Sequence, residues 1–242
     1  MADFKKIKYP SGMSPVGVAV FPHLNKPDDK FDKVVFKVNL AVPAAEAADL
    51  VSRIDTMLDA LKGADPKILA LLSDEEGKRL GTAHKSKKLK VADLCYGPRT
   101  DKEGNVDETT TVFKFKKNGQ YKASKAGYYT DRDGNRVNYN AGDMVPTSLP
   151  LFDKFGKELT AEVWGGSEIV LKYELRPWVN AKSEYGVKLA MVAVMVKVLR
   201  QGGGGDASSF GFDVEEGGEE DEGSSMAKAA PGTPADDADG DF

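Results

Sequence analysis

Between residues 119 and 140 the chain interleaves rings with cations: Tyr121, Lys122, Lys125, Tyr128, Tyr129, Arg132, Arg136 and Tyr139. The stretch is rich in Gly and Asn and too polar for a core, so a long loop or loose hairpin is expected, with these side chains at the surface. Unpaired nucleic acid is held by such a mixture. Cations follow the phosphates, and aromatic faces take splayed bases at roughly 1–3 kcal/mol per stacked base. A tyrosine packed under its own loop is the competing reading at each position.

Further candidates stand on segments that alternate with period two. "SEIVLKYELRPWV" buries Ile169, Leu171, Tyr173 and Leu175 and turns Lys172, Glu174, Arg176 and Trp178 outward. Trp178, beside Pro177, reads equally well as the plug of a barrel end; the following turn adds Lys182 and Tyr185. "TTTVFKFKKNG" sets Phe113 and Phe115 against Lys114 and Lys116, and "KVVFKVNLAVP" sets Val34, Phe36, Val38, Leu40 and Val42 against a face that includes Lys37. Lysines opposite an apolar face also serve plain solvation.

These side chains need a frame. "YGVKLAMVAVMVKVLR" is apolar on both faces, as a central strand is. "DMVPTSLPLFD" reads as a short edge strand, because Pro146 and Pro150 cannot donate to a ladder. In "AAEAADLVSRIDTMLDALKG", Leu50, Ile54, Met57 or Leu58, and Leu61 share a helical face before Gly63, which predicts a helix near 44–62. Asp65 as N-cap and Pro66 behind it predict a second over 65–80. "AHKSKKLK" is a basic connector. Five or so antiparallel strands with a helical insertion point to a mainly β fold, an OB-type five-stranded barrel.

The net charge of −4 over 242 residues conceals a division. From Gly202 to Phe242 there are twelve acids against Lys228 alone, a balance of −11, whereas residues 1–201 carry 33 bases against 26 acids, a balance of +7. "QGGGGD" reads as a flexible joint, so a folded body over 1–201 and a linker with acidic tail over 202–242 are expected. The tail finishes in Asp236, Asp237, Asp239, Asp241 and Phe242, a partner-binding hook in which aspartates steer and the ring anchors. About 40 flexible residues reach about 35 Å. The tail can therefore lie across the body's own basic groove at an effective concentration on the order of millimolar.

Other chemistries find little support. One cysteine, Cys95, makes no internal disulfide, and two histidines, His23 and His84, do not furnish a zinc site. "TDRDGNRVNY" and "TDKEGNVDET" open like calcium loops but lack the closing glutamate, and read as turns. "GGGG" lacks the lysine and hydroxyl of a phosphate cradle. No metal, no cofactor and no enzymatic activity are expected. The start of the chain lacks the apolar run of a secretory signal, and "LAMVAVMV" is far short of a membrane span, so a soluble, cytoplasmic protein without membrane contact is expected.

"DETTTVFKFK", "SEIVLKYELRPW", "YGVKLAMVAVMVKVL" followed by a glycine run, and the terminal "DADGDF" together resemble the single-stranded DNA-binding proteins of T-seven-type bacteriophages. The resemblance covers most of the chain, with little match over 119–142. It implies an OB barrel with a helix beside it and the coating of single-stranded DNA in phage replication, recombination and repair, within the host cytoplasm. It also implies an acidic tail that binds the phage DNA polymerase and helicase-primase and competes for the DNA groove. Homodimerisation is left open. Three rivals stand beside this reading: an acidic-tailed chaperone or interaction module, an RNA-binding barrel, and a small nuclease.

Deletion of residues 202–242 is expected to tighten binding of oligo-dT at moderate salt, between twofold for a tail of about 1 mM intrinsic affinity and roughly a hundredfold at about 10 µM. Weaker binding by the truncated protein in a fluorescence titration refutes the competition.

Overall fold

The alternating segments do form strands. A computed structural model of the chain describes residues 7–30, 33–101, 103–131 and 134–200. These belong to the first of two units, Met1–Gly203. Arg132 and the tail residues Asp236, Asp237, Asp239, Asp241 and Phe242 lie outside the described residues, as does the expected body–tail boundary.

After a short β1 (Ser11–Met13), the chain enters β2 (Gly17–Asp28) and β3 (Val35–Pro43). Three helical segments follow, α1 (Ala44–Lys62), α2 (Pro66–Leu69) and α3 (Asp74–Lys85). Two short strands, β4 (Lys90–Val91) and β5 (Tyr96–Thr100), then lead into the long β6 (Val106–Asn118). Four small strands come next: β7 (Gln120–Lys122), β8 (Gly127–Thr130), β9 (Arg136–Tyr139) and β10 (Met144–Pro146). A brief β11 (Leu151–Phe152) precedes the final pair, β12 (Glu168–Val179) and β13 (Glu184–Val198).

Five of these close a ring in the order β2–β3–β6–β13–β12 and back to β2. The expectation of antiparallel pairing throughout is corrected at one seam. Directions alternate along β2, β3 and β6, and β12 runs antiparallel to both β2 and β13; β6 and β13 must then run the same way. A ring with an odd number of strands cannot alternate throughout, and the parallel pair falls at Leu189↔Phe115 and Ala190↔Lys116. The result is an OB barrel. Where the chain passes from β1 to β2 along the edge of β12, the buried Ser14 hydroxyl accepts the Leu171 N–H at 2.9 Å and so continues the ladder.

The period-two faces bury as expected: Phe36, Val38, Leu40 and Val42 on β3, Phe113 and Phe115 on β6, and Ile169, Leu171, Tyr173 and Leu175 on β12 are all core residues. β2 is a strand not marked from the sequence; it carries Pro22 and Pro27, which cannot donate to a ladder, and survives through irregular register between Val20 and His23 and again before Asp28.

Helix α1 closes the barrel floor with Ala47, Leu50, Ile54, Met57, Leu58 and Leu61. The second helix differs from the 65–80 expectation. Asp65 caps only one turn, α2, and a new helix, α3, begins at Ser73, whose hydroxyl accepts the Glu76 N–H while the Glu76 carboxylate accepts the Ser73 N–H. This capping box restarts the helix after Leu72.

Four rings run through the core in sequence: Tyr96 to Phe113 at 6.1 Å between centroids, Phe113 to Phe115 at 6.4 Å, and Phe115 to Tyr173 at 6.0 Å. Both ends bond to α1. The Tyr96 hydroxyl donates to Asp55 Oδ1 at 2.7 Å, and Arg53 Nη1 donates to the Tyr173 hydroxyl at 2.8 Å. Arg53 also donates to the Ser11 carbonyl at 3.1 Å, which holds β1. Gly12 permits this approach, because a Cβ there would stand 2.6 Å from Arg53 Nη1. No helix among the described residues is long and apolar enough to cross a membrane.

Burial, then the bond to Asp55, pushes the Tyr96 phenol up to about 12. A raised phenol keeps its stabilising proton below the unfolded value of about 10 and loses the benefit as pH rises through the folded value. Wild type is thus expected to exceed Tyr96→Phe in urea stability by about 1 kcal/mol near pH 7, with the gap closing between about pH 10 and 12. A gap that stays constant to pH 12 refutes the hydrogen-bond assignment.

Candidate nucleic-acid interface

β2 breaks its register on the outer face. Val20 pairs with Asn39, and the next pair is His23 with Lys37, so Phe21 and Pro22 together oppose the single residue Val38, a bulge of one extra residue. Pro22 has no N–H to offer a ladder, and Phe21 takes a left-handed backbone with φ of 50°. The bulge turns the Phe21 side chain out of the barrel, 74% exposed. A bulky residue in that region costs on the order of 1–3 kcal/mol and persists only where its surroundings hold it.

Phe21 borders an open cleft of ≈ 480 Å³ whose other lining residues include His23, Lys37, Asn39, Lys114 and Lys116. The ladder places these side chains. His23 stands across from Lys37, Lys37 across from Lys116, and Asn39 across from Lys114. Like charges directly opposite are destabilising, and here two lysines meet face to face. Asp28 offsets part of this by an ion pair with Lys37, and that hydrogen bond holds its carboxyl below the usual value. Among the described residues no carboxylate forms an ion pair with Lys114 or Lys116. The cleft thus presents an exposed ring on the first barrel strand beside cations on the second and third, the strands on which OB folds take oligonucleotides.

Of the long loop or loose hairpin expected over 119–142, the hairpin forms, as two nested ribbons. β7 pairs with β10, and beyond them β8 pairs with β9, so a hairpin finger continues from β6. Tyr121 and Tyr128 are 47% and 57% exposed, and the Arg136 guanidinium lies over the Tyr128 ring at 3.8 Å. Lys122 and Lys125 are exposed. Tyr129 and Tyr139 are half-buried and stack on each other at 6.4 Å and 28°. Gly127 leaves room for Tyr139, since a Cβ there would lie 2.6 Å from its hydroxyl.

On β12 and β13 the expected residues fare unequally. Lys172, Arg176 and Lys182 are exposed. Arg176 donates to Glu174 Oε2 at 3.0 and 2.8 Å. Trp178 is half-buried and lies against Gly186, where a Cβ would come within 2.8 Å of the indole. Tyr185 is corrected: at 6% exposure it belongs to the core and offers no face to a ligand. Its strand has β12 on one side at Val179 and β4 on the other at Val91, and the side chain turns inward beneath them. The two calcium-like segments are turns in which Asp101 and Asp131 accept hydrogen bonds from the backbone and side-chain nitrogens of Asn105 and Asn135.

Of the sequence-derived residues, then, Lys37, Lys114 and Lys116 gather in the cleft, while Tyr121, Lys122, Lys125, Tyr128, Tyr129 and Arg136 gather on the finger. Phe21, His23 and Asn39 were missed. The signal was "VFPHL", an aromatic before a proline inside an otherwise alternating run.

No family model matches the chain, and no curated protein is significantly similar. Solved structures do match. gp2.5, a single-stranded DNA-binding protein encoded by bacteriophage T7, superposes with a TM-score of 0.56 at 22% identity, over 88% of this chain and 98% of its own. The single-stranded DNA-binding protein of bacteriophage Enc34, in complex with single-stranded DNA, matches with a TM-score of 0.47 at 15% identity, over 79% of this chain and 88% of its own. At these identities the likeness to gp2.5 shows a shared fold.

Glycine takes a left-handed backbone without penalty, so Phe21→Gly is expected to raise stability by about 1 kcal/mol in urea unfolding. A loss of stability would mean that the ring is packed and not presented.

Proposed function

We propose that the chain is a phage single-stranded DNA-binding protein. The observation that carries this is the Phe21 cleft: a strained, exposed ring beside three lysines, two of them directly opposed, at the oligonucleotide-binding position of an OB barrel. A base stacks on Phe21, and phosphates lie along Lys37, Lys114 and Lys116 with His23 and Asn39 beside them. The finger offers a second stacking platform at Tyr128 and Tyr121, with Arg136, Lys122 and Lys125 on the backbone; Arg132 belongs to the same segment. Lys172 and Lys182 add to the positive field. The shared fold with gp2.5 supports the same reading.

The protein acts by occupancy, not by catalysis. Coating exposed strands places it in replication, recombination and repair of phage DNA, in the host cytoplasm. In this reading the body spans 1–201, and the acidic segment 202–242, of opposite charge, competes with DNA. Once displaced, Asp236, Asp237, Asp239, Asp241 and Phe242 recruit the DNA polymerase and helicase-primase through basic, apolar-centred pockets.

Phe21→Ala is expected to weaken oligo-dT binding by roughly fivefold to a hundredfold, the equivalent of one stacked base. Lys116→Ala is expected to reduce the slope of log K against log salt by about 0.7, one phosphate contact. Fluorescence anisotropy at several salt concentrations checks both. Unchanged affinity and slope in both variants refute the cleft as the site, and a stronger response to oligo-rU than to oligo-dT moves the protein to the RNA-binding class.

A further inference from the structure

The cations of the cleft do not stop at β6. Phe115 and Leu189 are partners in the parallel seam and are buried at 0% and 1%. Lys114 and Lys188, each one residue before its ring or leucine, therefore stand together on the outer face. Lys188 is in turn the cross-strand partner of Arg176, whose neighbours Leu175 and Leu189 point inward. Lys114, Lys188 and Arg176 thus form one row across β6, β13 and β12, beginning at a residue that lines the cleft. At the far end the Arg176 guanidinium lies 5.0 Å from the centroid of the Tyr9 ring. Its side chain is 49% exposed although it also holds Glu174. Burial, and secondarily the Arg176 charge, hold the Lys117 ammonium on β6 below its ordinary value. Adjacent like charges on three strands have no structural use, and Glu174 is the one carboxylate bonded to the row among the described residues.

We propose that this row is a second segment of the nucleic-acid path: a single strand that fills the Phe21 cleft continues over the parallel seam, with its phosphates on Lys188 and Arg176 and a base against the Tyr9–Arg176 pair. The inference rests on the single-strand reading of the cleft and adds the direction in which the strand leaves it. A strand leaving only by the finger is the alternative route. The row also gives the parallel seam a role that its two residue pairs lack in the ladder alone, since it sets Lys114 beside Lys188.

The test is oligo-dT of graded length, from about 4 to about 20 nucleotides, titrated by fluorescence anisotropy against the full chain. Lys188→Glu and Tyr9→Ala are the variants. Lys197→Glu is the charge control, exposed on the same strand nine residues, or about 30 Å, further on. Thermal melts confirm that each variant is folded. The expected result is unchanged affinity for the shortest oligonucleotides and a loss of about tenfold for the longest in Lys188→Glu. A smaller loss of the same kind is expected in Tyr9→Ala, and less than twofold in Lys197→Glu. The length at which affinity levels off should shorten, and the salt slope for long oligonucleotides should fall by about 0.7 to 1.4, one or two phosphates. Equal losses at every length, or equal losses in Lys188→Glu and Lys197→Glu, overturn the path, because they mark a general field. No loss at any length overturns it too, and leaves the cleft reading standing. Failure of the unaltered protein to bind oligo-dT removes the cleft reading itself.

Discussion

Period-two alternation on β6 is the constraint from which the surface chemistry follows. Phe113 and Phe115 are locked inward by their contacts with Tyr96, with Tyr173 and with each other, and both ends of that row of rings are hydrogen-bonded to α1. Lys114 and Lys116 can then only face out. A slip of one residue would bury two ammonium groups and expose two rings, so the register is among the most strongly determined features of the fold. The cleft inherits its cations from the packing beneath it.

The outer face is arranged against its own stability. Lys37 opposes Lys116, and Phe21 occupies a left-handed backbone with most of its ring in water. Each feature costs free energy in the isolated protein and is offset by the core. Local rules are broken together in one place, on one face, beside a cleft. In the proposed reading a polyanion with unstacked bases relieves both the charge and the exposed ring.

The finger solves a different problem. A two-stranded ribbon has little core to stabilise it, and here tyrosine contacts take that part: Tyr129 stacks on Tyr139, and the Tyr139 hydroxyl meets that of Tyr121 at 3.5 Å. Three of the four finger tyrosines that looked like ligand contacts, Tyr121, Tyr129 and Tyr139, are therefore also the ribbon's own glue. Tyr128 keeps its exposure, with Arg136 laid across it. Rigid presentation lowers the ordering cost of binding, which gives these internal contacts a bearing on affinity.

Much was determined by sequence alone. Alternation marked β3, β6 and β12 and their buried faces, a run apolar on both faces marked β13 as a central strand, helical spacing marked α1, and charge composition marked the division between a basic and an acidic segment. Lys37, Lys114 and Lys116 were legible because burial of every second residue fixes the direction of its neighbours. What only the tertiary structure decided was relation between strands. Phe21, His23 and Asn39 became visible with the bulge on β2, a strand not marked from the sequence. Tyr185 was lost to the core because β13, apolar on both faces along the sequence, turns it inward with Val187 and Leu189. Lys188 gained meaning only through the parallel seam. Periodicity is a property of one segment and can be read along the chain; which strand lies beside which is settled by closure of the ring, where distant residues meet and no local pattern records it.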